Sequence, residues 1–245
     1  MSAPVFLIDP TGTEQPGDVI ELTGPEGRHA VIVQRLQMGE EIELVDGRGK
    51  RMRGTVASTA KDSCTVTIAK IDDELEARPR ITAVQAIAKG DRGELAVQML
   101  TEAGVDVIIP WQAENCVAKW DGERAGKHHA KWQSTARESA KQARRAWIPI
   151  VESPVTTAAV ADLVSNAGVA LVLDEEATTP LTSIDFSTAH DVLLVIGPEG
   201  GLSPNERVLF ADSGGDVVRL GSTVLRTSTA GVAALGVVMA RVGRW

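Results

Sequence analysis

The sequence has few aromatic residues and few cysteines. Tyrosine is absent, and 5 Trp and 3 Phe make up only 3% of the 245 residues. The core must therefore consist mainly of Val, Ala, Leu and Ile, which suits buried parallel strands. The 2 cysteines, Cys64 and Cys116, have no CxxC partner, and the 4 His show no zinc-ligand spacing. We therefore expect neither a disulfide framework nor a bound metal, and the roles of the two cysteines stay open.

A leader segment and a membrane span are not evident in the sequence. The N-terminus lacks the basic region and the long apolar region of a signal peptide. The longest late uncharged stretch, Thr227–Ala240, is too short and too rich in Thr and Ser to cross a bilayer. We expect a soluble, cytoplasmic protein with no membrane partner.

Basic residues are not in excess over the chain as a whole. Lys and Arg number 25 against 33 Asp and Glu, a formal net charge of −8, which by itself argues against a polyanionic partner. The stretch Arg124–Arg145 nevertheless carries seven cations and one acid, a net charge of +6. A helix would place four of these cations on one face, namely Arg137, Lys141, Arg144 and Arg145.

A basic helix face is usually a solvated surface, but such surfaces usually mix charges of both signs. A face of one sign beside Trp132 favours contact with phosphates. A second basic cluster occupies a predicted hairpin and consists of Arg48, Lys50, Arg51 and Arg53. Two such clusters indicate a long polyanion that is held at two points.

The chain divides into two stretches with different patterns of apolar and turn residues. From Val5 to about Ile71 the apolar runs are short and separated by Gly, Pro and Asp, which indicates a small β-rich domain. From Ile81 onward, strand-like apolar runs alternate with helical patterns, which predicts a mostly parallel sheet covered on both faces. We therefore expect a first domain over residues 1–73, a linker over residues 74–80 and an α/β domain over residues 81–245.

The most informative stretch is Asp191–Glu206, DVLLVIGPEGGLSPNE. An apolar strand leads into a loop with three glycines, and Ser203 and Glu206 have the spacing of a capping box at a helix start. Ligands of open α/β sheets bind beyond the carboxyl ends of the strands, where glycines let backbone N–H groups approach. We expect a small molecule here, with a tight turn without a ligand as the alternative. The loop matches neither GxGxxG nor the P-loop, so a nicotinamide dehydrogenase is disfavoured.

A second candidate stretch surrounds the start of the last predicted helix. Thr227, Ser228 and Thr229 are typical N-cap residues, and capping alone would explain them. Arg226 precedes a long uncharged helix, where packing gives a cation little reason to exist. We expect Arg226 to face a ligand or a partner subunit.

Taken together, these motifs resemble the RsmE-type family of bacterial small-subunit ribosomal RNA uridine-N3 methyltransferases, which belongs to the SPOUT superfamily. The resemblance covers nearly the whole chain and rests on the order and spacing of Arg28–Gly49, Lys89–Pro110, Lys131–Arg145, Ile196–Glu206 and Leu220–Leu235. It implies a SPOUT α/β-knot, with a mostly parallel sheet and a deep C-terminal trefoil knot, preceded by a small PUA-like β-barrel domain. It also implies a homodimer without a metal.

The resemblance implies S-adenosylmethionine as the cofactor, bound in the knot. The residues expected to hold it are Leu173, Ile196, Gly197, Pro198, Glu199, Gly200, Gly201, Leu220, Gly221, Leu225 and Thr227. The residues expected to contact RNA are Arg28, Arg35, Arg48, Lys50, Arg51, Arg53, Lys89, Arg92, Arg137, Lys141, Arg144 and Arg145.

The implied reaction is methylation of N3 of one uridine in the decoding region of 16S rRNA in the small ribosomal subunit. Arg226 is the candidate to stabilise negative charge on a uracil oxygen. Glu199 is a candidate base, although we favour a role in holding the loop. The family often has Glu where this chain has Ser228, which removes a carboxylate from any mechanism that would use one there.

Two other functions stay open at this point. The protein could be a SPOUT methyltransferase that acts on another RNA, either tRNA or a ribose 2′-hydroxyl. It could also be a non-catalytic RNA-binding factor of ribosome assembly that kept the fold. Cofactor binding distinguishes the last possibility, since a pure binding module has no need of S-adenosylmethionine.

Overall fold

The computed structural model describes residues 3–187 and 189–245. The chain forms two compact units, the first with residues up to Glu76 and Ala140–Ile148, the second with Ala77–Ser139 and Pro149–Trp245. The sequence-based ranges placed Ala140–Ile148 in the α/β domain. Backbone hydrogen bonds from Gly49 to Ala146 and from Ile148 to Gly47 explain the difference, because such long-range pairing leaves no local signal.

The first unit is built around a five-stranded sheet. Its elements are β1 (Val5–Leu7), β2 (Val19–Leu22), α1 (Gly24–Arg28), a π-helical turn (His29–Val33), β3 (Glu41–Val45), β4 (Lys50–Thr59) and β5 (Cys64–Asp73). The strand order is β1-β3-β4-β5-β2, and all neighbours are antiparallel except β1 and β3. Buried and half-buried positions alternate along the first half of β5, as in a strand with one face on a core. That core includes Phe6, Ile42, Leu44, Met52 and Val66.

The second unit is an α/β structure. Its elements are β6 (Arg80–Ala86), α2 (Arg92–Glu102), β7 (Val107–Trp111), α3 (Gly122–Gln142, whose end groups with the first unit), β8 (Ile150–Val151), α4 (Thr157–Asn166), β9 (Val169–Leu173), β10 (Thr179–Pro180), a 3-10 turn (Leu181–Ser183), β11 (Asp191–Ile196), α5 (Pro204–Asp212), β12 (Asp216–Arg219) and α6 (Thr227–Arg241).

The sheet of the second unit has seven strands in the order β10-β12-β9-β11-β6-β7-β8, and every neighbouring pair is parallel. The central strand β11 is almost entirely buried, because its continuous apolar run suits a strand covered on both faces. The predicted parallel sheet is thereby confirmed. The carboxyl ends of its strands meet along one edge, which is where ligands bind in such sheets.

Alternate residues of the strands point into two cores. One core joins the sheet to α2, α3 and α6 and includes Ala83, Leu100, Trp132, Leu194 and Leu235. The other joins the sheet to α4 and α5 and includes Val84, Val160, Val195 and Phe210. Gly93 allows the close approach of α2 and α3, since a Cβ atom there would lie 2.9 Å from the Trp132 ring. No helix among the described residues is long and apolar enough to cross a membrane.

Candidate functional site

A pocket lies at the carboxyl edge of the seven-stranded sheet. The loops after β9, β11 and β12 and the start of α6 form its wall. The lining residues are Leu173, Asp174, Glu175, Ile196, Gly197, Pro198, Gly201, Leu202, Val218, Arg219, Leu220, Gly221, Thr223, Val224, Leu225, Thr227 and Ala230.

The pocket brings together most of the residues that the sequence predicted for the cofactor. Nine of them line it: Leu173, Ile196, Gly197, Pro198, Gly201, Leu220, Gly221, Leu225 and Thr227. Glu199 and Gly200 are exposed and lie outside this lining. Arg226 is exposed at the N-cap of α6, between two residues that do line the pocket.

The glycine loop, Gly197–Gly201, follows β11 and turns sharply. The Gly201 N–H donates to the carbonyl oxygen of Pro198 at 3.0 Å, and Gly201 has a φ of +69°, a conformation that favours glycine. On the outer side, the Asn115 amide donates to the Gly201 carbonyl oxygen at 3.2 Å. A Cβ atom on Gly200 would lie 3.0 Å from the Asn115 Cβ, so glycine at this position allows the close approach.

Thr227 connects the glycine loop to the rest of the sheet. Its hydroxyl donates to the Gly197 carbonyl oxygen at 2.6 Å and accepts a hydrogen bond from Gln85 Nε2 at 2.9 Å. Capping does not explain this side chain, because Arg226 is the N-cap residue and has no side-chain capping bond. The N-cap interpretation of Thr227, Ser228 and Thr229 is therefore wrong.

The capping box at the start of α5 is confirmed. Glu206 does more than complete the capping box, since it is only 2% exposed and accepts three hydrogen bonds, two of them from outside the box. One oxygen accepts from the Ser203 N–H at 3.0 Å. The other accepts from the Glu114 N–H at 2.8 Å and the Thr157 hydroxyl at 3.1 Å. Glu206 thereby fixes the segment that carries Asn115 against the glycine loop.

Carboxylates stand at one side of the pocket, directly after β9. Asp174 has a side chain that is 3% exposed and pairs with Arg207 Nε at 2.7 Å, while Glu175 is exposed. A hydrogen bond to Glu176 and the charges of Asp174 and Glu176 raise the pKa of Arg207. Sequence reasoning missed Asp174 and Gln85, although a polar residue inside or directly after a buried strand was an available signal.

Glu199 is held by a backbone group. Its Oε1 atom accepts a hydrogen bond from the Lys89 N–H at 2.9 Å. This contact joins the glycine loop to the segment between β6 and α2. It supports a loop-holding role, while the alternative role as a base stays a prediction.

The predicted RNA-contacting residues of the first unit fall into two groups. Arg28, Arg35 and Arg48 are exposed. Three hairpin cations are instead paired with carboxylates: Lys50 with Asp73, Arg51 with Glu43 and Glu74, and Arg53 with Glu43 and Asp72. Arg51 is also buried. The hairpin cluster is therefore largely neutralised rather than presented as free positive charge.

The predicted basic helix face does not form. Helix α3 ends at Gln142, and Arg144 has a φ of +56°, so Arg144 and Arg145 cannot continue its face. Lys141 is 8% exposed and pairs with Glu26 at 2.8 Å, whereas Arg137 is exposed. That interpretation is wrong because it assumed a longer helix and ignored tertiary pairing. In the second unit, Lys89 is exposed and Arg92 half-buried.

A metal centre is not evident in the part of the chain that the structure describes. No group of three or more His, Cys, Asp or Glu side chains there has an arrangement that could hold an ion. Both cysteines are unpaired and buried.

Comparison with known proteins identifies the family. A model described as an RNA methyltransferase domain matches residues 75–239, and one described as an RNA methyltransferase PUA domain matches residues 22–69. Ribosomal RNA small subunit methyltransferase E of Mycobacterium bovis is 39% identical over 249 residues, covering 100% of this chain and 94% of that protein. The Bacillus subtilis protein of the same name is 28% identical and covers 89% and 88%.

Solved structures agree with this comparison. A methyltransferase from Legionella pneumophila with bound S-adenosylmethionine has a TM-score of 0.85 and 31% identity, covering 98% of both chains. Ribosomal RNA small subunit methyltransferase E from Neisseria gonorrhoeae, bound to S-adenosylmethionine, has a TM-score of 0.85 and 26% identity, with 98% of each chain covered.

Fold and pocket together define an RNA methyltransferase with a parallel α/β sheet and a PUA-like β domain, and these parts of the predicted fold class are confirmed. The SPOUT assignment and the trefoil knot stay predictions. More particularly, the chain belongs to the ribosomal RNA small subunit methyltransferase E family. The family that the motifs resemble is thereby confirmed.

Proposed function

We propose that this protein transfers a methyl group from S-adenosylmethionine to N3 of one uridine in the decoding region of 16S rRNA in the small ribosomal subunit. The observation that carries the proposal is the pocket at the sheet edge, where nine residues predicted for this cofactor converge. The full-length relative at 39% identity, which is named for ribosomal RNA small subunit methylation, supports the RNA class.

The residues of the pocket suit S-adenosylmethionine. Leu173, Leu202 and Leu220 offer apolar surface for an adenine ring, and the glycine loop offers backbone groups at close range. Asp174 is paired with Arg207, and the exposed carboxylate of Glu175 suits a ligand that carries a sulfonium and an ammonium group. When bound, the cofactor supplies an electrophilic methyl group.

The chain must help uridine to react at N3, which carries a proton. N3 lies on the Watson–Crick edge, so the target must be unpaired or flipped out of its helix. We assign Arg226, at the N-cap of α6 beside the pocket, to the negative charge that develops on a uracil oxygen. Glu199 keeps the glycine loop in place through Lys89.

RNA binding is assigned to the exposed cations. Among the predicted residues these are Arg28, Arg35, Arg48 and Arg144 in the first unit and Lys89 and Arg137 in the second. Arg51, Arg53 and Lys141 are instead assigned to ion pairs within the protein. We further propose that the protein acts as a cytoplasmic homodimer and needs no metal.

The test is methylation of small subunits from a strain that lacks this protein. Wild-type protein with S-adenosylmethionine should restore one methyl group on a uridine of 16S rRNA, detected by mass spectrometry of RNA fragments. Arg226→Ala should bind the cofactor in calorimetry with near wild-type affinity and lose most of its kcat. Cofactor binding without methylation of small subunits would overturn the proposed substrate, with tRNA and ribose 2′-hydroxyls as the next ones to assay. Absence of cofactor binding would leave a non-catalytic RNA-binding factor.

A further inference from the structure

The first half of α3 presents a basic face that the sites above do not use. Arg124, Lys127, His128 and Lys131 have i, i+3, i+4 and i+7 spacing, and all four are exposed. Lys131 pairs with Glu94 at 2.8 Å. Trp132 and Ala136 are buried, and Trp132 flanks the basic face next to His128, which it follows by four residues. From Lys119 to Lys131 the sequence has four Lys or Arg residues and two acids, Asp121 and Glu123, so cations predominate there.

An aromatic column leads from the core to His128, at the edge of this basic face. Trp132 is buried, and Trp120 packs edge-on against it with ring centroids 4.9 Å apart. The His128 ring is stacked on Trp120 at a centroid distance of 5.6 Å and an angle of 14°. Gln112 Oε1 accepts a hydrogen bond from the backbone N–H of Trp120 at 3.1 Å. Trp120 is therefore fixed from the inside, while the imidazole forms the outer end of the column.

The position of the column relates it to the cofactor pocket. Trp120 is on the same loop as Asn115, which donates hydrogen bonds to the carbonyl oxygens of Gly200 and Gly201. Five residues of chain span at most about 18 Å. Trp120 therefore lies within about 18 Å of Asn115, the residue that contacts the glycine loop, and a few nucleotides of one RNA strand can span such a distance.

We propose that Trp120, His128, Arg124 and Lys127 form a platform for one unpaired nucleotide of the substrate RNA. The base stacks on the outer face of the His128 imidazole, and the two cations contact the adjoining phosphates. Histidine rings serve as stacking surfaces for unpaired bases, and a stack combined with positive charge binds single strands with little sequence preference. An exposed imidazole adds little to the core, so packing alone does not account for the column.

This inference rests on the proposed function, because it assigns an RNA contact to the same enzyme. The central variant is His128→Ala, which removes an exposed ring and leaves Trp120 and the core intact. We expect its Kd for a single-stranded oligoribonucleotide, and for the unmethylated small subunit, to rise roughly tenfold, the effect of losing one base–aromatic stack. Its unfolding curve and its affinity for S-adenosylmethionine should match the wild type.

Two further variants make the test specific. His128→Phe keeps an aromatic face and should restore RNA binding, which a loss of hydrogen bonding or charge would not predict. His190→Ala removes another histidine of the second unit, with a side chain that is 77% exposed, and should leave RNA binding unchanged. Binding of RNA to wild type should also quench tryptophan fluorescence, and less so in Trp120→Phe.

Equal RNA affinity of His128→Ala and wild type, at low and at physiological salt, overturns the platform. Loss of affinity in His128→Phe equal to that in His128→Ala overturns the stacking contact. Preferential binding of an acidic peptide over the oligoribonucleotide would assign the surface to a protein partner. The binding measurement requires no methyl transfer, so it tests the platform even if the assay of the proposed function fails.

Discussion

The Thr227 hydroxyl donates a 2.6 Å hydrogen bond to the carbonyl oxygen of Gly197 and so joins α6 to the glycine loop. The Thr227 hydroxyl oxygen in turn accepts a hydrogen bond from the side-chain amide of Gln85, which is fully buried in β6. One hydroxyl therefore links a central strand, the last helix and the loop that lines the pocket. Because Thr227 is also buried, water cannot easily replace this bridge.

The bridge predicts the effect of a nearly isosteric change, Thr227→Val. This variant loses both hydrogen bonds, and its affinity for S-adenosylmethionine in calorimetry should fall roughly tenfold, as expected for a buried hydrogen bond of about 1.4 kcal/mol. Thr227→Ser keeps the hydroxyl and should bind almost as wild type does. Unchanged affinity in Thr227→Val would show that the bridge does not position the loop.

Glu199→Gln separates the two possible roles of this loop carboxylate. The Gln oxygen can still accept from the Lys89 N–H, so a loop-holding role predicts nearly wild-type kcat and cofactor affinity. Glu199→Ala should instead weaken cofactor binding. A glutamine variant that binds the cofactor normally but is inactive across the whole pH range would identify Glu199 as the base.

Glu206→Ala should be strongly destabilising. Removal of the buried carboxylate leaves the Ser203 and Glu114 N–H groups without their acceptor, at a cost of about 3 kcal/mol in the free energy of unfolding. Urea unfolding measures this difference. The matched control is Asn205→Ala on the same turn of α5, where the side chain is exposed and stability should hardly change. Equal stability of the two variants would contradict the anchoring role of Glu206.

Two cations of α3 should differ in what they do. Lys141 pairs with Glu26, and their side chains are 7% and 14% exposed. Lys141→Ala should therefore lower the free energy of unfolding by about 2 kcal/mol, since it leaves a mostly buried carboxylate without this partner. Arg137→Ala should leave stability unchanged and weaken RNA binding, most clearly at low salt. Chemical denaturation measures the stability of both variants, and RNA titrations measure their affinity. A stability loss in Arg137→Ala together with an RNA-affinity loss in Lys141→Ala would reverse the two assignments.

The cysteines should be unreactive in the folded protein. Burial raises the pKa of Cys116 to about 11 and also raises that of Cys64. At pH 8 only about one Cys116 thiol in a thousand is then ionised, and the thiolate is the reactive form. Ellman's reagent should detect 2 thiols in denaturant and almost none in the native state. Rapid native labelling at pH 8 would contradict this environment, whereas a gradual increase toward pH 11 agrees with it.

Local patterns explain what the sequence could predict. Ser203 and Glu206 stand three residues apart, and the capping box needs only that spacing and a helix to follow. The apolar run of β11 and the glycines after it are also local, so the sheet edge and the glycine loop could be predicted, whereas the other cofactor residues were implied by the resemblance to the family. The order of the motifs then identified the family.

Contacts between distant parts of the chain explain what could not be predicted. Arg51 finds Glu74 and Lys141 finds Glu26 only after folding, so neither cation shows its buried state in the sequence. The positive φ of Arg144 ends the basic face that an ideal helix would have continued. Gln85 was visible as a polar residue in an apolar run, but its partner Thr227 lies in the last helix.

The pairing of β6 with β11 affects the stage of folding at which the protein can bind its cofactor. It aligns Ile81 with Val192, residues more than 100 positions apart, and contacts of such long range slow folding. The pocket further needs β12 and the start of α6. A nascent chain therefore cannot capture its cofactor before α6 has left the ribosome that makes it, and cofactor binding marks a finished molecule.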